Sequence, residues 1–162
     1  MTGLALTFLD TNVLLHSVDD GSPAKRDRAR QWVTACWTRR CGRTSAQVLQ
    51  EFYAKARRNF PSAISAGDAR AIVRRYQLWT PWQSDQVTLE TAWAIESRYD
   101  FGWWDALVVA AAQQQGCRYV LSDSLQHGLQ VDSVQLLNPF EIGPEVLDGE
   151  PPAPTSIAKV QR

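Results

Sequence analysis

Apolar positions along the chain fall into short β-prone runs separated by longer stretches with helical spacing. Leu4 to Leu9 reads as a buried strand that stops at Asp10. Asn12 to His16 then predicts a turn or two of helix. Ser22-Pro23 reads as an N-cap with proline at the first helical position, opening a helix to about Trp37. Gly42 to Ser45 allows a short strand. From Ala46 the set Leu49, Phe52, Tyr53 and Ala56 is spaced i, i+3, i+4, i+7, a helix with one buried face that ends by Asn59-Phe60-Pro61. Ser65 with Asp68 resembles a capping box and starts a helix to about Trp79. Thr80 to Gln83 suggests a strand broken by Pro81, and Val87 to Tyr99 is helical by period. Trp103 to Gln115, apolar on nearly every side and closed by Gly116, predicts a buried central helix. Arg118 to Ser122 reads as a buried strand, Asp123 to Gly128 as a loop or short helix, and Val134 to Leu137 as a last strand. Strands alternating with helices indicate an α/β fold with a largely parallel sheet over residues 1–142. Residues 143–162, with four prolines and few apolar positions, are expected to form a flexible tail.

At 162 residues, one domain with a sizeable core is the simplest organisation. The formal net charge of zero hides a division. Residues 1–80 hold 13 Lys and Arg against 6 Asp and Glu, and residues 81–162 hold 4 against 11. Gathered on one side, the basic residues of the first half would make a footprint for a polyanion, although any one basic cluster reads by itself as a solvated helix face. Cys36, Cys41 and Cys117 are odd in number and lack the spacing of a zinc site or disulfide framework. The longest strongly apolar run, Ala106 to Ala112, is too short to span a bilayer, and a cytoplasmic location with no membrane association is expected. Trp79, Trp82, Trp93, Trp103 and Trp104 are expected as core or dimer contacts, with base stacking as the alternative.

Four acids occupy suggestive places: Asp10 at the end of the first strand, Glu51 in the helix from Ala46, Asp105 in the first turn of the buried helix, and Asp123 after the strand ending at Ser122. Each alone has a plainer role. Asp10 could cap a helix, Glu51 could pair with Lys55 at i, i+4, Asp105 could favour a helix N-terminus, and Asp123 could be a loop acid. Together they suggest a carboxylate cluster, and clustered carboxylates repel unless a cation relieves them. Mg²⁺ or Mn²⁺ takes oxygen ligands and can activate water and stabilise a leaving oxygen. Neither a nucleophilic Ser nor Cys arrangement is evident, so metal-assisted hydrolysis suits this inventory best. Phosphotransfer through Asp10 usually shows a second Asp two residues on, where this chain has Asn12.

Four stretches, Phe8-Leu9-Asp10-Thr11-Asn12-Val13-Leu14, Ser45 to Tyr53, Phe101 to Val108 and Gly116 to Gly128, occur in the order and spacing of PIN-domain ribonucleases. Over about residues 5–140 the chain most resembles the VapC toxins of bacterial type II toxin–antitoxin pairs. The resemblance implies a three-layer α/β/α sandwich with a central, mostly parallel sheet and Mg²⁺- or Mn²⁺-dependent endoribonuclease activity leaving a 5′-phosphate and a 3′-hydroxyl. It also implies a homodimer, and an antitoxin whose C-terminal segment blocks the site. Carried over by position, Asp10, Glu51 and Asp105 match the family's acids and metal ligands, and Asn12 a polar residue that supports them. Relatives usually continue Ser or Thr, a variable residue, then Asp; here Ser122-Asp123-Ser124 puts Ser124 in the Asp place and Asp123 beside it. Asp123 is the candidate fourth catalytic and metal-binding acid, with Ser122 and Ser124 in support. The departure also admits a second reading, a PIN-fold module that binds RNA or protein with little catalysis.

Overall fold

The computed structural model describes residues 4–157. A five-stranded sheet is built from β1 (Thr7–Leu9), β2 (Gly42–Arg43), β3 (Tyr119–Leu121), β4 (Gln130–Val131) and β5 (Val134–Leu137), in the order β2-β1-β3-β5-β4. Every pairing is parallel except β4 with β5. Six helices surround it: α1 (Thr11–Ser17), α2 (Pro23–Thr38), α3 (Ala46–Arg57), α4 (Ala66–Tyr76), α5 (Gln86–Tyr99) and α6 (Trp103–Gln114). The chain leaves β1 to one side to form β2, then crosses β1 to form β3 on the other. Right-handed crossovers in opposite directions place their helices on opposite faces, which gives the α/β/α sandwich. β1 therefore lies where the strand order reverses. At such a point the helices diverge and leave a crevice beyond the strand's carboxyl end.

The three described β1 residues are fully buried, as are Val13, Leu15, Trp32 and Phe52. In α6 the run Ala106 to Ala112 is buried throughout, as its lack of a polar face predicts, and the helix closes at Gly116 with φ +71°. α6 packs on β3 and β5 and pairs with α5, while α1 packs against α2 and also touches α3. Trp32, expected from no motif, anchors this side by donating its indole N–H to the carbonyls of Pro139 (3.2 Å) and Ile142 (3.0 Å). Cys36, Cys41 and Cys117 are free thiols in the core. Trp79 is buried and Trp82 and Trp103 half-buried, whereas Trp93 and Trp104 are exposed. Among the described residues no helix is long and apolar enough to cross a membrane.

Several local features were not visible in the sequence pattern. The stretch from Ser65 gives α4 to Tyr76 and then a 3₁₀ turn, Gln77–Trp79. Thr80 to Gln83 contributes only a bridge between Trp82 and Ser45. β4 is a two-residue strand outside any alternating run. Where a flexible tail was expected, residues Pro144–Asp148 form a 3₁₀ turn with Val146 buried, and Asp148 meets Arg39. Further on, the Pro152 carbonyl accepts from Gln135 (2.9 Å) and Thr155 bridges to Leu129. Residues 158–162 of that expected tail lie outside the described residues.

The close approach of β2 to the Trp79 ring gives a direct stability prediction. A Cβ at Gly42 would overlap three ring atoms of Trp79, itself packed against Trp37 and Tyr76 at 4.8 Å between centroids. Gly42→Ala is expected to destabilise the fold by about 1–3 kcal/mol, the range for overpacking a filled core. Urea unfolding midpoints of the two proteins measure it.

Candidate active site

Asp10 follows β1 and is the N-cap of α1, so the plain capping role is filled, and the same junction faces the crevice beyond β1. Its Oδ1 accepts from the Thr11 backbone N–H at 2.7 Å, and its Oδ2 from the Ser122 hydroxyl at 2.9 Å. The residue is buried. Burial is the main force raising its carboxyl pKa from 3.8 to about 6; the two hydrogen bonds oppose it, and the charges of Asp105 and Glu51 raise it further.

Glu51 reaches the same crevice from α3. Its Oε2 accepts from the Thr11 hydroxyl at 3.0 Å and its Oε1 from Gln47 Nε2 at 3.2 Å, so α1 and its own helix hold it from two sides. The i, i+4 ion pair with Lys55 is not formed. Asp105, in the first turn of α6, is raised by burial and by Glu51, with the Lys55 charge acting against both. Three elements that are distant in sequence thus bring Asp10, Glu51 and Asp105 within electrostatic reach of one another.

Asp123 is turned elsewhere. Its Oδ1 accepts from Asn12 Nδ2 at 2.8 Å, and its Oδ2 stands 3.7 Å from His16 Nε2. His16 is buried between the rings of Phe60 and Phe140, and desolvation lowers its pKa against the pull of Asp123. Asn12 therefore supports the loop acid. Ser124 contacts Ser122 at 3.0 Å between hydroxyls; because the Ser122 proton goes to Asp10, Ser124 donates to Ser122 and reaches Asp10 only through it. His127 is occupied structurally, its Nδ1 accepting from the Asn138 backbone N–H at 2.8 Å.

Two residues that sequence reasoning did not single out hold the centre together. Thr11 binds Asp10 through its backbone and Glu51 through its hydroxyl, while Gln47 steadies the other Glu51 oxygen. The signal for Gln47 was its i, i+4 relation to Glu51; Thr11 offered only its place beside Asp10.

Among the described residues no group of three or more His, Cys, Asp and Glu is gathered closely enough to hold a metal ion as the side chains stand. The donor set is nevertheless of the kind that hard divalent cations take, all carboxylate and hydroxyl oxygen, and the charges of the acids raise one another's pKa, opposed at Asp10 by the Thr11 and Ser122 hydrogen bonds and at Asp105 by Lys55. On chemistry the residues fit such an ion.

A doubly wound sandwich with three acids in electrostatic reach of one another beyond the switch-point strand defines the class. The PIN domain family model matches residues 7–127, and the chain belongs to that family. Among solved structures, it is similar to a toxin–antitoxin complex from Klebsiella pneumoniae, with 16% identity, a TM-score of 0.58, and coverage of 84% of this chain and 99% of the other. It is also similar to VapC20 of Mycobacterium tuberculosis, described as a Sarcin-Ricin loop cleaving toxin, with 20% identity, a TM-score of 0.53, and coverage of 70% and 86%. At these identities the likeness establishes a shared fold. No curated protein matches the sequence.

Proposed function

We propose that the protein is a metal-dependent endoribonuclease and the toxin of a toxin–antitoxin pair. The observation that carries this reading is the burial of Asp10 beyond β1, which pushes its pKa up to about 6, with the charges of Asp105 and Glu51 near enough to add to the rise. An idle carboxylate in that setting costs stability, whereas a site that takes a cation uses it.

Asp10, Glu51 and Asp105 would hold Mg²⁺ or Mn²⁺, which when bound supplies Lewis acidity toward water and phosphate. The chain's own contribution is placement. Ser122 and the Thr11 N–H fix the Asp10 carboxylate, Thr11 and Gln47 fix Glu51, and the start of α6 presents Asp105. Asp123 acts from outside this trio, binding Asn12 at the start of α1 to the loop after β3. The basic first half of the chain supports a polyanionic substrate. An antitoxin partner is supported by the Klebsiella complex, and a homodimer by the resemblance to VapC toxins.

Total cellular RNA incubated with the purified protein in Mg²⁺, Mn²⁺ or EDTA tests the reading. Discrete fragments that need the metal are expected. Unchanged RNA, with binding that is equal in EDTA, would replace it with a PIN-fold binding module.

A further inference from the structure

An α-helix advances about 100° per residue, so Gln47, Glu51, Lys55 and Arg58 fall along one strip of α3 and its C-cap. The upper half of this strip is fastened, since Thr11 and Gln47 occupy both Glu51 oxygens. Lys55, one turn on, is exposed. Among the described residues its ammonium makes no hydrogen bond or ion pair, yet its charge acts on Asp105 across the site.

The placement is informative because the easier alternative is unused. A Glu followed four residues later by Lys is the favourable helical order for an ion pair. Here the glutamate is taken up from α1, so the ammonium is left with its three donors free, one helical turn from Glu51 and within electrostatic reach of Asp105. A cation in that position meets whatever anion the acids process.

We propose that Lys55 is the phosphate-positioning residue of the site, gripping a non-bridging oxygen of the RNA phosphate next to the three acids. This rests on the nuclease reading above and assigns its substrate contact. Lys55 orients the phosphate by charge, as an ammonium does, and takes no part in proton transfer. The other side of α3 offers a control: Arg70 of α4 lines a cleft there with Leu49 and Tyr53, on the face away from Glu51.

The experiment compares Lys55→Gln, Lys55→Arg and Arg70→Gln with the parent chain. Initial rates on an RNA that the parent cuts give kcat and KM. Binding of a labelled single-stranded RNA oligonucleotide in EDTA, over a range of salt, gives the electrostatic slope without cleavage. Lys55→Gln is expected to raise KM about tenfold with kcat changed much less, the signature of lost uniform binding. It should reduce the salt slope by about 0.7, the value for one phosphate contact on a single strand. Lys55→Arg should restore most of both, and Arg70→Gln should leave KM near that of the parent. A parent-like KM and slope in Lys55→Gln would overturn the proposal. So would an unchanged KM with a raised pH midpoint for cleavage, since that is what mere neutralisation of Asp105 would do. If the parent cuts no RNA, the nuclease reading fails by itself, and the EDTA binding arm still decides the role of Lys55.

Discussion

Asp10→Asn is expected to lower RNA cleavage below about one-hundredth of the parent rate and to abolish any growth inhibition on expression, with the fold intact. Loss of a supporting partner alone costs about 10–100-fold at metal sites, and Asp10 is proposed as a direct ligand. The amide keeps the size of the carboxylate and one acceptor oxygen, so it can still cap α1 at Thr11. What it removes is the charge that meets Glu51 and Asp105. Cleavage rates beside a circular-dichroism spectrum for each protein measure the effect. An Asn variant that cuts at the parent rate would remove the Asp10-centred mechanism altogether.

The second large effect concerns stability in the absence of divalent cations. Between the ordinary carboxyl pKa of 3.8 and its folded value of about 6, Asp10 keeps a proton in the native state that the unfolded chain has already released. The native state binds more protons across this window, so stability falls as the pH rises through it, by as much as about 3 kcal/mol for this group. Asp105 is raised in the same direction and contributes with the same sign. Melting temperatures of the metal-free protein should therefore be higher near pH 4.5 than pH 7.5 once general acid effects and the Asp105 share are subtracted with the Asp10→Asn variant, which lacks only the part due to Asp10. At pH 7.5, Mn²⁺ or Mg²⁺ at a hundredfold its Kd should restore about 2.7 kcal/mol to the parent and much less to the variant. A parent whose melting temperature responds neither to pH in this window nor to either cation would show that the acids are not held as a charged group.

How far the sequence revealed this site depended on the kind of interaction involved. The β1–Asp10–α1 junction and the buried α6 were legible because burial on all sides leaves an unbroken apolar run, and an acid at its end is conspicuous. Glu51 was legible from helical period and its place in a recognised stretch. Its partner was not, because the choice between Lys55 one turn away and Thr11 forty residues earlier is made by how α1 packs against α3. The same holds for Asp123. Its distance from Asp10 in sequence says nothing of the loop geometry that turns it to Asn12 and His16. The Asp85–Thr88 capping box that opens α5 is a local signal that pattern reading passed over.

The proline-rich stretch after the domain has a consequence for how these molecules coexist at high concentration. β4 forms one margin of the sheet, and Thr155 pairs beside it at Leu129 while the Pro152 carbonyl is engaged by Gln135. An uncovered margin is a template on which another chain can add a strand. A covering segment containing Pro151, Pro152 and Pro154 has few backbone N–H groups of its own to offer a newcomer. The segment thereby occupies the backbone beside Leu129, just ahead of β4, without presenting a full set of pairing groups of its own, and strand addition at that position is discouraged.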